Sequence, residues 1–514
     1  MRKLKFTEYP WHVIFFAIYP ILNLLAHNIT EVDISVAYRS LWISLVVSIS
    51  LLLILNIFLR DWQRAGIMTT VFIILFFLYG HVYAYFQKIE IAGILVGRHR
   101  VLAGLWIVLW LLAFFGIKKE WGKGITTTLN MMAIVLFIFP VFSLGSYMIS
   151  TWRSEQEQIK RLARLESPEG LVASPESPDV YFIILDQYAR SDVLAEFFDY
   201  DNSAFLTELE DMGFYVAACA NSNYPHTSLS LMGTLNYNYV SDLGEEFSPE
   251  AKDREPLWQM IKNSSVKRDF EKLGYQSIAF ESGYDWAEME SADIFYTLSS
   301  TRINNFEALL LQNSATYLPM SLGYFREFRL DDNERKRELI LFVLDQLKEI
   351  PSLPGKKFVF AHLVIPHPPF VFGPDGNLLV IEPYREGDEI GYRRKDFQEG
   401  YRNQTSFINS RIIGVIRQII EDSPQPPIII LQGDHGPITI ADNARTNILS
   451  AYLFPEPKPS LYPELTSVNN FRMIFRTYFN AKSLPNLPDK SYFFRAGSFY
   501  DFYEKINLCT QPEN

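Results

Sequence analysis

The sequence predicts an α/β protein with a mostly parallel sheet flanked by helices, preceded by an all-α bundle of about five transmembrane helices. Three observations carry this prediction. Apolar residues gather in five long stretches before about residue 150. Beyond residue 179, short apolar runs alternate with helical patterns in a βαβ rhythm. The run Ile428-Ile429-Ile430-Leu431 lacks polar alternation, so it reads as a strand buried on both faces. It ends in Gln432-Gly433-Asp434-His435-Gly436, an acid and an imidazole where open α/β sheets place their ligands.

The chain has 514 residues, of which 48% are hydrophobic. The apolar stretches cover roughly 11–27, 41–59, 67–87, 101–117 and 127–149. A membrane-crossing helix needs about 20 apolar residues, and the first and fourth fall slightly short. Tyr9 and Trp121 supply interfacial aromatics at the flanks. A secretory signal peptide is the alternative for 11–27, but four more apolar segments follow and no small-residue cleavage site stands out. Arg2, Lys3, Lys5, Arg60, Arg64, Lys118, Lys119 and Lys123 lie on one side of these spans. Arg39, Lys88, Arg98 and Arg100 lie on the other. Eight against four predicts a cytoplasmic N-terminus, although the Gly97-Arg98-His99-Arg100 cluster works against it. An odd number of spans then places the rest outside. The expected organisation is a transmembrane domain at 1–150, a linker at 151–178 and an extracytoplasmic catalytic domain at 179–514. The expected location is therefore the cytoplasmic membrane, multi-pass.

Net charge is −11 and no basic, aromatic-interleaved patch occurs, which argues against nucleic acid as a partner. Cys219 and Cys509 form no disulfide framework. They are able to pair in an oxidising compartment, but one buried thiol and one in a loose tail is the commoner arrangement. A transporter is a poor fit, because His81 and His99 are the main ionisable candidates in the spans.

In the linker, Trp152 to Glu166 continues a charged helical pattern until the Ser-Pro-Glu breaks at 167–178. Val180–Leu185 then reads as a buried strand ending at Asp186, followed by a helix near 190–212. A helix at 256–273 leads to a strand at 274–280, and Lys357–Leu363 is a third strand. An amphipathic helix at 402–422 leads into the strand at 428–431, with closing elements at 441–460 and 491–503.

Three strands thus end in groups able to bind a metal or an anion: Asp186; His367 within Pro366-His367-Pro368-Pro369-Phe370; and the Asp434-His435 pair. Each alone has an ordinary reading, a helix cap for Asp186 and a packed loop for His367. Parallel strands, however, bring their carboxyl ends to one edge. Carboxylate and neutral imidazole together suit one divalent ion, with Mn, Zn and Mg all open. A hydroxyl nucleophile comes from Pro225-His226-Thr227-Ser228, where Thr227 or Ser228 would cap a helix running to about Leu235. A helix N-terminus favours a bound anion. A plain cap is the simpler local reading. Arg190, in the turn after Asp186, is a candidate lining residue with a surface role as the alternative, and Arg445 and Asn447, after the Asp-His motif, are candidates to line the pocket. His226 reads as a loop histidine and His362 as a packed core residue.

The order of these motifs resembles the alkaline-phosphatase/sulfatase superfamily, and within it the membrane branch of lipoteichoic-acid synthases and phosphoethanolamine transferases. The resemblance covers the architecture of the whole chain and about residues 179–460 by motif. It implies a sulfatase-like fold in the outer domain. By its motif, Asp186 corresponds to a metal carboxylate, Thr227 to the metal-bound nucleophile, Asp434 and His435 to the metal pair, and His367 to the residue contacting the transferred group. The sequence also departs from the pattern. Gln187 stands where sulfatases carry a second aspartate, and Cys219 lacks the context of a formylglycine precursor. Phe280-Glu281-Ser282 and Trp286-Ala287-Glu288 lack the His and Arg with which lipoteichoic-acid synthases bind glycerol phosphate. The many cysteines of phosphoethanolamine transferases are absent as well.

The resulting expectation is a membrane-anchored, metal-dependent sulfatase-like hydrolase or transferase. It would act on phosphate or sulfate esters outside the cytoplasmic membrane, through Thr227 and a covalent intermediate. The expected partner is a lipid-linked or envelope ester. The alternatives are a sulfuric ester hydrolase on a soluble substrate and a non-catalytic envelope module of degenerate sulfatase fold.

Overall fold

The computed structural model describes residues 8–505 and Cys509, apart from 30–31, 33, 88, 92–93, 96–97, 163–166, 299–302, 325–331, 382, 387–388, 440–443 and 496. The chain divides into two compact units, Met1–Arg153 with Ser300–Leu330, and Ser154–Ser299 with Asp331–Asn514. The excursion at 300–330, which the sequence reading leaves in the outer domain, thus belongs to the first unit.

In the first unit, apolar composition yields helices α1 (His12–His27), α2 (Tyr38–Leu59), α3 (Trp62–Phe86), α4 (His99–Gly116) and, up to Arg153, α5 (Gly122–Leu162). Among the described residues, four helical segments, Ile34–Leu59, Trp62–Phe86, His99–Gly116 and Gly122–Arg153, are long and apolar enough to cross a membrane; α1 is apolar but has only 16 residues. Asp61 starts α3 sharply, since its side chain accepts from the amides of Gln63 and Arg64. Helix α5 runs unbroken into the charged stretch predicted as linker.

The second unit holds a seven-stranded sheet among the described residues. Its strands are β1 (Val180–Leu185), β2 (Tyr215–Val216), β3 (Gln276–Phe280), β4 (Ile294–Tyr296), β5 (Lys357–Leu363), β6 (Ile428–Gly433) and β7 (Ser450–Leu453). The order across the sheet is β2-β7-β6-β1-β5-β3-β4. Strands β6, β1, β5, β3 and β4 run parallel, while β7 and β2 add antiparallel pairs at one edge. The helices are α6 (Ser191–Phe198), α7 (Ser203–Asp211), α8 (Thr227–Leu235), α9 (Glu255–Lys262), α10 (Ser265–Lys272), α13 (Asp332–Glu349), α14 (Arg394–Asp422) and α15 (Asn470–Tyr478). The excursion supplies α11 (Asn305–Gln312) and α12 (Tyr317–Ser321) to the first unit.

The absence of alternation in the central strands is explained by two cores. Tyr181, Ile183 and Leu185 pack on one face with Ile412 and Ile416 of α14. Val180, Phe182 and Ile184 pack on the other with Leu231 of α8 and Phe471 of α15. Two helices expected as continuous are broken. Asp199, at φ 49°, ends α6, and Ser264 starts α10 afresh by capping Lys267 N. Helix α14 begins at Arg394, ahead of its expected start at 402, because its polar first turns hide the amphipathic pattern. Cys219 and Cys509 form a disulfide, so the expectation of a buried thiol and a loose tail is corrected.

Candidate metal centre and nucleophile

Register assembles the centre. Leu185 pairs with Gly433 across β1 and β6, so the next residues, Asp186 and Asp434, emerge side by side. Across β1 and β5, Ile184 pairs with His362. Asp186 lies two residues beyond Ile184, and a two-residue step returns to the same face of a sheet. His362 therefore shares that face. One donor atom from each of Asp186, His362 and Asp434 lies within 4.8 Å of the other two. All three are buried.

Gly433 permits the close approach that this requires. A Cβ there would stand 2.2 Å from the Tyr188 carbonyl oxygen. The turn between strand and helix is also tight, since Gln187 adopts φ 64°, a left-handed conformation unusual for a non-glycine residue. The reward is an amide aimed at the rim: Gln187 N donates to Asp434 Oδ1 at 2.9 Å, as does His435 N at 2.9 Å. Tyr401 of α14 secures the turn, its hydroxyl donating to Gln187 O and accepting from Ala189 N. Gln187, the departure from the family pattern, thus serves the site through its backbone.

His435 Nδ1 lies 2.7 Å from Gly436 O, so this nitrogen carries the proton and Nε2 keeps its lone pair. Nε2 is 3.5 Å from Asp434 Oδ2, 4.0 Å from Asp186 Oδ1 and 3.0 Å from Thr227 Oγ1. Thr227 reaches this point because the strand-like segment before it lies along the segment after the Asp-His pair. Ser222 N donates to Thr446 O, and an Arg445 guanidinium nitrogen donates to Pro225 O at 3.1 Å. The cap of α8 is neither Thr227 nor Ser228 but His226, whose Nδ1 accepts from Ser228 N. The Ser228 hydroxyl also pairs with His226 Nδ1, at 3.0 Å. Of the two candidate hydroxyls, the one beside His435 is that of Thr227.

Among the described residues, the two carboxylates of the centre are balanced at contact distance only by neighbouring histidines. Burial and the neighbouring Asp186 push Asp434 above the usual carboxylate range. Burial would raise Asp186 too, but His367, His362 and His435 outweigh it and hold it low. Apart from the contact of His362 Nε2 with Asp186 Oδ2 at 3.3 Å, both carboxylate oxygens of Asp186, Oδ2 of Asp434 and both ring nitrogens of His362 are buried without a hydrogen-bond partner. Buried polar atoms are nearly always satisfied. Two carboxylates and an imidazole with free lone pairs fit a divalent cation in chemistry and spacing.

His367 stands at the edge of the centre. Its amide donates to Asp186 O at 3.2 Å, and its Nδ1 contacts Pro368 O. Gln404 donates to Pro366 O and His367 O and accepts from Val371 N, binding this loop to α14. Lys336 of α13 donates to His367 O and to Pro369 O. Burial pushes the Lys336 ammonium down to about 7. The Tyr284 hydroxyl is 3.4 Å from both ring nitrogens of His367.

Arg190 does not turn to the centre. Its guanidinium is engaged by Asp192 through two bonds and by Ala220 O, as a strut between the start of α6 and the segment leading to Thr227. His362, read from sequence as a packed core residue, belongs to the donor cluster instead. Its only sequence signal was a polar residue near the carboxyl end of an apolar strand. Tyr284 and Lys336 carry no such signal.

No family model matches the sequence, and no curated protein matches it. Among solved structures, the chain is similar to the C-terminal periplasmic domain of EptC from Escherichia coli in complex with Zn, with 12% identity over 64% of this chain and 93% of that one and a TM-score of 0.42. It is similar to the integral membrane lipooligosaccharide phosphoethanolamine transferase A from Neisseria meningitidis, with 12% identity over 90% and 94% and a TM-score of 0.36. A phosphonate monoester hydrolase of Agrobacterium radiobacter matches with 12% identity over 62% and 80% and a TM-score of 0.39. Phosphoethanolamine transferases and sulfatases, the latter also among the matches, are the kinds of protein that the motifs resemble. Scores this low carry no inference about chemistry, which rests on the geometry of the centre.

Proposed function

We propose that this chain is a membrane-anchored, metal-dependent enzyme that transfers or hydrolyses a phosphate or sulfate ester outside the cytoplasmic membrane. The observation that carries the reading is the approach of Thr227 Oγ1 to within 3.0 Å of His435 Nε2, beside a buried cluster of unsatisfied metal-ligand atoms. Asp186, Asp434, His435 and Thr227 would hold the ion, with His362 available to complete the set. When bound, the ion supplies Lewis acidity, which lowers the pKa of the Thr227 hydroxyl and offsets charge developing on the ester.

Thr227 Oγ would then attack the phosphorus or sulfur as the bond to the leaving oxygen breaks, its hydroxyl proton ending on that oxygen; water or an acceptor alcohol would next attack the same atom as the bond to Thr227 Oγ breaks, its proton returning to Thr227. The amino end of α8 contributes its positive field to the same anion. Burial lowers the His367 pKa, and its Nδ1 is tied to Pro368 O, so its Nε2 would stand unprotonated as a relay that takes the proton released by the attacking hydroxyl and passes it to the departing oxygen in each step. The long apolar helices favour a lipid-linked or envelope substrate, and hence transfer. An extracytoplasmic site accords with the Cys219–Cys509 disulfide, since disulfides persist in oxidising compartments.

The test is turnover of the full-length protein with an aryl phosphate, an aryl sulfate and a lipid head-group donor, alongside metal content per chain. Thr227→Ala is expected to lose about 10³-fold or more in turnover while retaining metal. Ser228→Ala should change it by less than about tenfold, the scale of one hydrogen bond. Full activity in Thr227→Ala would overturn the reading.

A further inference from the structure

The helical unit contains a groove of about 250 Å³ between α2, α3 and α11, with Ile21 of α1 at its edge. On α2 its wall is formed by Arg39, Ile43, Val47 and Leu51, a four-residue repeat that keeps to one helix face. Phe72 and Phe76 of α3 and Leu310 of α11 face them. Of the four lining serines, Ser40, Ser44, Ser48 and Ser314, two are engaged elsewhere. Ser44 donates to Ala17 O at 2.6 Å, and Ser314 to Leu311 O at 2.9 Å. Charge occurs at one end only, where Arg39 pairs with the buried Glu307 through two contacts.

The α11 wall is built in rather than loosely apposed. Gly80 N of α3 donates to Asn313 O at 3.2 Å, and Ala315 N donates to Phe76 O at 2.8 Å. These backbone bonds key the excursion into α3. A Cβ on Gly80 would stand 2.3 Å from Gln312 O, so glycine alone permits the contact.

The shape selects the occupant. From Arg39 to Leu51 the α2 wall is about 18 Å long at the helical rise. One leaflet of the hydrocarbon core is about 15 Å deep. The mouth is rimmed by Ile43, Val47 and Phe72, all large apolar side chains more than a third exposed. A water-soluble ligand would find little polar along it beyond the serines of the lining. A molecule with one charged end and a leaflet-long tail matches both features.

We propose that this groove binds one acyl chain of a glycerophospholipid, with the polar end at the Arg39–Glu307 pair and the tail toward Leu51. The site lies entirely in the helical unit, and its occupancy does not depend on the catalytic reading.

The experiment uses the full-length protein in detergent and a phosphatidylglycerol with a nitroxide near the end of one acyl chain. The motionally restricted fraction is read by electron paramagnetic resonance. The wild type should show about one restricted lipid per chain at saturation, and Val47→Trp, which fills the groove from its exposed edge, should bind about tenfold more weakly. Ile43→Trp repeats the test from a second exposed position should Val47→Trp fail to fold. Val135→Trp, exposed on α5 and outside the groove, should behave as wild type. Thr227→Ala should also behave as wild type, which separates this result from failure of the catalytic proposal. No restricted fraction in the wild type, or an equal fraction in both groove variants, would overturn the proposal. So would a dimer that these substitutions dissociate, since a second copy would then be the occupant.

Discussion

In the helical unit, the described polar contacts are pairwise, and leftover buried atoms such as His12 Nε2 and Thr126 Oγ1 occur one to a residue. His12, at the start of α1, places its Nδ1 2.6 Å from Thr70 Oγ1 and its amide on Asn130, while Arg39 meets Glu307. At the rim of the sheet, Asp186, His362 and Asp434 converge instead, and five of their polar atoms have no hydrogen-bond partner. Local pairing costs little beyond the packing it serves. Two carboxylates buried side by side repel, and each pays a desolvation penalty of several kcal/mol unless a countercharge enters. Separated pairs thus mark structural contacts, and a crowd of carboxylates and imidazoles with too few partners to share marks a candidate ligand site.

The largest test of this contrast is Asp434→Asn. Removing one carboxylate should weaken metal binding by about 10²-fold or more, beyond the 10–100-fold of an outer-shell change. Chelation should lower the melting temperature of the wild type, by the equivalent of about 2.7 kcal/mol if metal had stood at 100 times its Kd. It should leave Asp434→Asn unmoved. The metal-free variant should melt at or above the metal-free wild type, because one of two repelling charges is gone. Calorimetry with and without chelator decides, and a wild type indifferent to chelation would erase the contrast.

The next test concerns the loop that carries His367. His367→Ala should lose about 10²-fold in kcat, and Lys336→Met about tenfold, because Lys336 acts only by holding the loop carbonyls. Lys336 has a further signature. Its folded pKa, down to about 7, is below the 10.5 of a free lysine. Between these values the unfolded chain binds more protons, so this lysine makes stability rise with pH from about 7 to about 10. Thermal melts across that window should show the rise in the wild type and lose it in Lys336→Met. An unchanged slope would remove Lys336 from the account.

The smallest expected effects separate the two arginines offered by the sequence. Arg190→Gln should cost about 1–2 kcal/mol of stability through its lost contacts, discounted because Asp192 is exposed. KM should hardly move. Arg445→Gln, at the carbonyl preceding His226, should raise KM about threefold to tenfold with less loss of stability. Denaturant unfolding and steady-state kinetics on both variants check the pair, and a reversed pattern would exchange their roles.

Asp434 and His435 were legible because a strand buried on both faces leaves few positions for polar groups except its end. Asp186 and His367 followed from the same rule. The choice between Thr227 and Ser228 was not legible, since two adjacent hydroxyls at a helix start look alike until His226 takes one of them. Nor was His362, whose neighbours in sequence are all core residues.

Local pattern and composition alone determined the apolar bundle, the parallel sheet and which strand ends carry candidate ligand groups. These follow from burial and from periodicity along a single segment. Tertiary structure decided what depends on two segments meeting. Strand register aligned Ile184 with His362 and Leu185 with Gly433. Backbone bonds at Gly80 carried the 300–330 excursion into the helical unit. Pairing between distant segments is set by the packing of the whole chain, so no window of sequence contains it.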